Sequence, residues 1–378
     1  KEESEIIFSP SGTDASLQIA GITQIITDKD IAHILVASDE TGSGVAAALK
    51  GCHFENTTAL NYPIKKGDRI EGFRDVELIK VPLRDEKGEL KSASQLDSEV
   101  FNAILKTNES GKQIVLHVMD HSKLGYQSPS KDMMQKINNL NDISIQVVID
   151  AAQFRLDPQD IQDSLNRGHI VSITGSKYFT GPPYSGALIF PETISNQIFD
   201  IKTTLPKGLN NYYNHSDWPT TWSCSKDLSD GYNYGSYMRW NAAIVEMDRY
   251  FKTPILYRNM GIEMFCNFVE DSVKDATFLE PLYGNEIKAN SSNSKGFGLR
   301  NIRTIFPFFI VNNGNVLSVD QVKKLYVLLN SDISEHFQGS PLEIIRLAGQ
   351  KCHIGQAVNV KYGNDIQSAI LRISLGAR

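Results

Sequence analysis

Seven short apolar runs in the first half of the chain place the strongest limit on its fold. The runs are rich in Val, Ile and Leu, and segments with helical spacing such as TDASLQIAGITQIIT and LDSEVFNAILKTN lie between them. Near-continuous apolar strands that alternate with helices indicate a mostly parallel sheet covered on both faces. We therefore predict an α/β domain with a seven-stranded sheet that ends near residue 191. The predicted strands are EIIFS, HILVAS, VELIKVPL, QIVLHVM, SIQVVIDA, HIVSITG and GALIF.

The sequence changes character after this sheet. Residues 205–235 are dense in Gly, Pro, Asn, Ser and aromatic residues, so they predict a long loop, and loops of this length are often functional. Its rings are expected to line or cover a site, or alternatively to pack against a partner subunit. These rings are Tyr212, Tyr213, Trp218 and Trp222.

A smaller α+β domain is predicted for the rest of the chain. Two helical segments are followed by TIFPFFIV, SVDQVKKLYVLLNSDI and SAILRISLGA, which read as strand, helix and strand. With 378 residues the chain is long enough for two domains. We place a large domain at 1–250 and a small one at 251–378.

Charge and cysteine content favour a soluble cytoplasmic protein. The net charge of −6 argues against general binding to nucleic acid or to anionic membranes. No apolar run is long enough to span a bilayer, and no secretory signal opens the chain. The cysteines are far apart and form no CxxC pair, so neither a disulfide framework nor a metal site is predicted. They are Cys52, Cys224, Cys266 and Cys352.

A phosphate seat is predicted where the first strand meets the first helix. In FSPSGTDAS the strand ends in Ser11, Gly12 and Thr13, and Asp14 falls in the first turn of the helix. Free backbone N–H groups, the helix dipole and two hydroxyls suit a phosphate at this point. The same pattern is also typical of a plain N-cap, and the GxxxxGK[ST] spacing of a nucleotide P-loop is absent.

Two further strand ends carry residues of catalytic type. VVIDAAQFRL delivers Asp150, with Gln153 three residues later, to the edge of the sheet where ligands of open α/β sheets bind. Lys177 follows the next strand in TGSKYFTGPPYSGAL, and the hydroxyls of Thr174 and Ser176 stand beside it. An amine of lowered pKa can form a Schiff base. The alternatives are a helix cap or loop ion pair for Asp150 and a solvated surface charge for Lys177.

Arg372 interrupts an apolar strand in AILRISLGAR. Its fork geometry matches a carboxylate, either of a substrate or of an internal salt bridge.

In order and spacing, these motifs resemble the class V aminotransferase family of pyridoxal-phosphate (PLP) enzymes. The family includes cysteine desulfurases, kynureninases and serine–glyoxylate-type transaminases. The resemblance rests on Ser11-Gly12-Thr13-Asp14-Ala15, on DAAQ at 150–153 and on TGSKYFTGPPYSGAL, and it covers nearly the whole chain. It implies the PLP-dependent transferase fold, type I, and a homodimer with active sites at the subunit interface. The relatives' N-terminal segment, some tens of residues, is expected to be absent from the chain as given.

The resemblance also implies a role for each residue. Lys177 corresponds to the lysine that holds PLP as a Schiff base and then moves protons at the substrate's Cα. Asp150 corresponds to the partner of the pyridine nitrogen, and Gln153 to a donor for the ring's phenolic oxygen. Arg372 corresponds to the residue that binds the α-carboxylate, and Ser236 to a hydroxyl that reaches the partner subunit's phosphate. The implied cofactor-binding set is Ser11, Gly12, Thr13, Thr41, Ser122, Asp150, Gln153, Thr174, Ser176, Lys177 and Ser236.

Several positions depart from the family pattern and leave the reaction open. Thr41 stands where most relatives stack a ring on the cofactor, and Ser122 stands where desulfurases carry asparagine. Cys352 lies near the position of a desulfurase's sulfur-accepting cysteine, and His121 and His215 are candidate auxiliary acids or bases. We predict transamination of a small amino acid. The alternatives are a lyase or desulfurase reaction, or a PLP-fold binding protein without catalysis.

Overall fold

The computed structural model describes residues 4–282, 299–352, 354–363 and 366–377. The chain divides into two compact units. The first comprises Lys1–Leu83, Lys91–Lys252 and Gly376–Arg378, and the second comprises Arg84–Leu90 and Thr253–Leu375.

A seven-stranded sheet forms the centre of the first unit and confirms all seven predicted strands. Its order is β1-β7-β6-β5-β4-β2-β3. The five strands from β6 to β3 are parallel, whereas β7 runs antiparallel to both β6 and β1. The strands are β1 (Glu5–Ser9), β2 (Ile31–Val36), β3 (Glu77–Val81), β4 (Gln113–Met119), β5 (Ile145–Ala151), β6 (Ile170–Thr174) and β7 (Gly186–Phe190).

Seven α-helices belong to the described part of this unit. They are α1 (Gly12–Ile26), α2 (Val45–Leu49), α3 (Ala93–Glu109), α4 (Lys131–Asn138), α5 (Pro158–Asn166), α6 (Glu192–Phe199) and α7 (Tyr234–Lys252). In α3, buried Leu96, Val100 and Ile104 recur every four residues and pack on β2, β3 and β4. A capping box at Ser92 and Gln95 satisfies backbone donors at the start of this helix.

The aromatic loop is part of the hydrophobic core, which corrects our prediction. Tyr212, Tyr213, Trp218 and Trp222 are each no more than 3% exposed and lie in one cluster with residues of α1 and the sheet. The segment contains three short 3-10 helices, at Lys207–Asn211, His215–Asp217 and Ser223–Ser225. Because the rings are buried, they neither line the candidate site nor offer a surface to a partner. Burial of such large apolar groups is strongly favourable.

The second unit is built on an antiparallel five-stranded sheet. Its order is β10-β9-β12-β11, and β8 pairs with β9. The predicted strands around residues 305 and 370 and the helix between them are present. The elements are α8 (Ile255–Asp275), β8 (Leu279–Pro281), β9 (Ile305–Asn312), β10 (Asn315–Val316), α9 (Val319–Leu329), α10 (Leu342–Ala348), β11 (Val358–Tyr362) and β12 (Ile366–Ser374).

None of the helices in the described part of the chain combines the length and the hydrophobicity that crossing a membrane requires.

Candidate active site

A cavity of about 390 Å³ lies in the first unit at the carboxyl ends of the parallel strands. The structure brings ten of the predicted site residues together in its wall. They are Ser11, Gly12, Thr13, Thr41, Ser122, Asp150, Gln153, Thr174, Ser176 and Lys177. Residues distant in sequence meet here because the loops that follow parallel strands share one edge of the sheet.

The amino end of α1 forms one wall. The Ser11 hydroxyl caps the helix by accepting a bond from the Asp14 backbone N–H at 3.2 Å, and it donates to the Asp14 carboxylate at 2.5 Å. A Cβ added to Gly12 would meet no atom within 4 Å, so open space adjoins this turn. The predicted N-cap is therefore present and leaves room for an anion at the helix terminus. Burial raises the pKa of Asp14 to about 6, against the lowering effect of its bond from Ser11.

Asp150 and Lys177 occupy the floor of the cavity. Asp150 lies near the end of β5 and Lys177 follows β6, and these two strands are adjacent and parallel. Burial raises the pKa of the Asp150 carboxyl and the nearby Asp120 carboxylate adds to this, whereas the ammonium of Lys177 and a bond from the Ala152 N–H, at 3.0 Å, act in the opposite direction. A carboxylate that the protein has desolvated in this way is prepared to pair with a cationic group.

The neighbouring residues fix the backbone around Asp150. The Thr174 hydroxyl donates to the Ala152 carbonyl at 2.9 Å, which ties the end of β6 to the end of β5. In this arrangement the hydroxyl proton of Thr174 is directed at the backbone. Gln153 is buried, and its backbone carbonyl accepts a hydrogen bond from the guanidinium of Arg155 at 2.7 Å.

Two glycines allow helix α7 to support the loop that carries Lys177. A Cβ on Gly175 would lie 2.5 Å from the Ala243 Cβ, and one on Gly181 would lie 2.7 Å from the same atom. The Trp240 indole N–H donates to the Gly186 carbonyl at 3.1 Å, just beyond this loop. Close contact with α7 thus holds the lysine loop against the sheet.

Glu40 and Lys123 line the opposite wall, and our sequence reasoning did not select them. The Lys123 ammonium donates to the Thr41 carbonyl at 2.7 Å, and the buried Glu40 carboxylate accepts from the Ser122 hydroxyl. These bonds join the loop after β2 to the loop after β4. A signal was present in the sequence, since both residues fall in the loops that come after predicted strands, but charges in such loops are common.

His121 also lines the cavity, whereas His215 does not. The His121 side chain is 5% exposed, and its Nδ1 lies 2.8 Å from the Asp120 carboxylate. His215 lies in the segment between α6 and α7, where its Nδ1 is 3.1 Å from the Ser225 carbonyl.

Two predicted site residues, Ser236 and Arg372, are not among the residues that line this cavity. Ser236 lines a second cavity of about 460 Å³ in the first unit, among the rings of Phe8, Tyr237 and Trp240. Its hydroxyl is buried and has no hydrogen-bond partner among the described residues. Arg372 belongs to β12 of the second unit, where its Nη1 donates to the Gln356 carbonyl at 2.9 Å.

None of the cysteines is among the residues that line the candidate cavity. None of the four described cysteines forms a disulfide bond, and Cys352 is exposed in the second unit. Among the described residues, no group of three or more His, Cys, Asp or Glu side chains is placed to hold a metal ion.

Comparison with solved structures identifies the fold. The chain aligns with mouse CSAD at a TM-score of 0.53 and 12% identity, covering 100% of this chain and 68% of that one. It aligns with Oryza sativa TDC bound to PLP and tryptamine at 0.54 and 12%, covering 99% and 66%. The sphingosine-1-phosphate lyase of Burkholderia pseudomallei aligns at 0.51 and 12%, covering 100% and 66%.

The fold is therefore that of the PLP-dependent fold type I enzymes, as the resemblance implied. The chain spans about two thirds of the length of these structures. Neither a sequence model of a known family nor a curated protein matches the chain.

Proposed function

We propose that this protein is a PLP-dependent enzyme that acts on the α-amino group of a small amino acid. One observation carries the proposal: Asp150 and Lys177, a desolvated carboxylate and an amine, face one cavity from adjacent parallel strands. The solved structures of the same fold include one crystallised with PLP, which supports this cofactor.

The residues present fit the cofactor. A cavity of about 390 Å³ is within the range of small-molecule sites, roughly 300–1,000 Å³. The amino end of α1 offers backbone donors, and the open space beside Gly12 can receive a phosphate. When bound, PLP supplies an electron sink for charge that develops at the substrate's Cα. Asp150 would keep the pyridine nitrogen protonated, and Gln153 would bind the phenolic oxygen.

Lys177 would serve twice in this proposal. Its amine would hold the cofactor covalently between turnovers and, once released, would accept or return a proton at the substrate's Cα. As the family resemblance implies, Arg372 is proposed to bind the substrate's carboxylate in the bidentate manner of a guanidinium.

Transamination is our first proposal for the reaction, and loss of CO₂ or cleavage at Cβ is the second. The second is favoured by the similar structures, which include a tryptophan decarboxylase of Catharanthus roseus and a lyase. Incubation with an amino acid and 2-oxoglutarate distinguishes the two. Formation of glutamate supports transamination. Release of CO₂ or an aldehyde when 2-oxoglutarate is left out supports the second reaction. Sulfide release that Cys352→Ser abolishes would instead support a desulfurase.

The cofactor is tested by trapping. We expect the purified protein to turn yellow with PLP and to carry a reduced pyridoxyl group on Lys177 after treatment with borohydride, detected by peptide mass spectrometry. Lys177→Arg keeps the charge and should carry no label, whereas Lys80→Arg, on the distant β3, should be labelled like the wild type. A wild type that takes up no PLP would overturn the proposal.

We further propose that the protein acts as a homodimer. The region around the second cavity exposes an unusual number of large apolar side chains on and beside α7, namely Tyr232, Tyr234, Tyr237, Met238 and Ile244, each more than half exposed. Ser236 lines the same cavity, and its hydroxyl, which has no hydrogen-bond partner among the described residues, is proposed to donate to a phosphate held by a second copy. Sedimentation analysis should give a dimer that Tyr237→Asp together with Ile244→Asp dissociates.

A further inference from the structure

Asp120 and His121 form a hydrogen-bonded pair at the edge of the candidate site. Asp120 follows β4, and its backbone N–H donates to the Asp150 carbonyl at 3.0 Å, so the pair is fastened to the strand that carries Asp150. Both side chains are buried, and His121 faces the same cavity as Asp150 and Lys177.

The hydrogen bonds of His121 determine where its proton resides. A carboxylate can only accept, so the bond between Asp120 and Nδ1, at 2.8 Å, places the proton on Nδ1. Nε2, which lies 3.4 Å from the Gln127 amide nitrogen, then keeps its lone pair. An imidazole held in this way by a carboxylate is a general base whose protonated form the same carboxylate stabilises.

The sheet places this base beside the proposed cofactor site and apart from Lys177. β5 lies between β4 and β6, so His121 and Lys177 approach from opposite sides of Asp150. Two strand spacings separate the strands that carry them, about 9–10 Å. Lys177 and His121 can therefore handle protons at different atoms of one substrate.

We propose that His121 is an acid–base residue of this site that accepts the surplus proton of the substrate's ammonium group. This inference rests on the proposed function, because a free amine must form at the substrate before it can displace Lys177. Nε2 takes one proton from R–NH₃⁺, which leaves R–NH₂ and an imidazolium paired with Asp120. The proton returns to the product amine or to water, so no further reactant is needed.

Other charged groups also act on His121. Glu40, Lys123, Asp150 and Lys177 line the same cavity, and Asp120 lies behind the ring. Two of these cavity groups are cations and two are carboxylates. Asp120 supplies the carboxylate that would pair with the imidazolium, which is the form that the proposed proton transfer creates.

Two small nucleophiles separate a proton-transfer role from a structural one. Methylamine is an ammonium ion at neutral pH, whereas hydroxylamine is neutral and has no surplus proton to lose. We would load the wild type, His121→Gln and His169→Gln with PLP and follow the absorbance of the bound cofactor after mixing with each nucleophile. His169 is a suitable control because it is buried in the same unit at the start of β6, bonded to Asn138.

We expect His121→Gln to slow methylamine by about 100-fold, the lower part of the range for a general base, and to leave hydroxylamine unchanged. The deficit should shrink as pH rises and methylamine loses its proton without help, and the control should match the wild type. Equal slowing of both nucleophiles, or of neither, would overturn the role of His121 while leaving PLP binding intact.

A second measurement does not depend on turnover. In the protein without PLP, ¹⁵N NMR of histidine should show His121 as the Nδ1–H tautomer, and Asp120→Asn should change that tautomer. A wild type with the proton on Nε2 would contradict the inference. Failure to bind PLP at all would defeat the proposed function, and this inference with it, and is recorded separately by the trapping experiment.

Discussion

The ammonium of Lys177 lowers the pKa of the Asp150 carboxyl, against the rise that burial causes. The two side chains lie at the carboxyl ends of adjacent parallel strands and line one cavity, although 26 residues stand between them in the chain. A carboxylate and an amine brought together by sheet topology are the central feature of the candidate site. Each of them can be tested separately.

Replacing Asp150 with Asn should weaken PLP binding while leaving the fold intact. The change removes one charge and keeps the shape, so a charge-assisted bond worth about 1.5–3 kcal/mol is lost, which corresponds to roughly a 10- to 100-fold weaker affinity. Fluorescence titration with PLP measures the affinity. Asp132→Asn, at an exposed position of α4, is the matched control, and equal affinities for the two variants would contradict the role of Asp150.

Two glycines should respond differently to alanine. At Gly12 a Cβ meets no atom within 4 Å, so the free energy of unfolding should not fall, but the added methyl group narrows the proposed phosphate seat and should weaken PLP binding. At Gly181 a Cβ would lie 2.7 Å from the Ala243 Cβ, and the overpacking should cost about 1–3 kcal/mol of stability. Urea unfolding and PLP titration of both variants test the contrast. A Gly12→Ala variant that binds PLP normally would contradict the proposal that the phosphate lies at this turn.

The buried pair His33 and His117 should make the protein sensitive to acid. Nδ1 of His33 lies 3.0 Å from Nε2 of His117 between β2 and β4, and burial lowers the pKa of His33 from 6.5 to about 3. Below pH 6.5 the unfolded chain binds protons that the folded chain refuses, so stability falls as pH drops from 6.5 toward 3. The double variant His33→Leu, His117→Leu should flatten this fall in urea midpoints. An unchanged slope would assign the acid sensitivity to other groups.

Asp14 should act in the opposite direction. Burial raises its pKa from 3.8 to about 6, so the folded chain retains a proton that the unfolded chain has released. Its contribution to stability is therefore fully present below pH 3.8 and is lost as pH rises toward 6, by up to about 1.4 kcal/mol per pH unit. Asp14→Asn should remove this loss. Thermal unfolding between pH 4 and pH 7 compares the variant with the wild type, and parallel curves would contradict the prediction.

The strands of the sheet could be predicted because each buried strand is a run of apolar residues. Such a run can be recognised without knowing which strand it pairs with. Each apolar run, from EIIFS to GALIF, is long enough to be read alone, and the structure contains all seven. The candidate cavity followed from the same logic, since strand ends such as Asp150 and Lys177 must share an edge. The expected positions of ten residues around one cavity agree with this reasoning, and their proposed roles stay predictions.

The location of the aromatic loop in the hydrophobic core could not be predicted in the same way. Composition shows that Tyr212 and Trp222 are rings in a turn-rich segment, but only three-dimensional packing shows that the core between α1 and the sheet needs them. His121 was a candidate acid or base from the sequence, but its pairing with Asp120 was hidden, because the pairing depends on a hydrogen bond and on burial rather than on spacing.

Anchoring of the aromatic segment has a consequence for substrate entry. The Tyr213 hydroxyl donates to the Asp14 carbonyl at 2.7 Å, and the ring is fully buried. The aromatic segment is therefore fixed to helix α1. A segment fixed in that manner cannot swing open as a gate, because opening would expose its rings to water. Under the proposed function, any opening of the cavity would then fall to other residues that line it, such as the turn at exposed Tyr184.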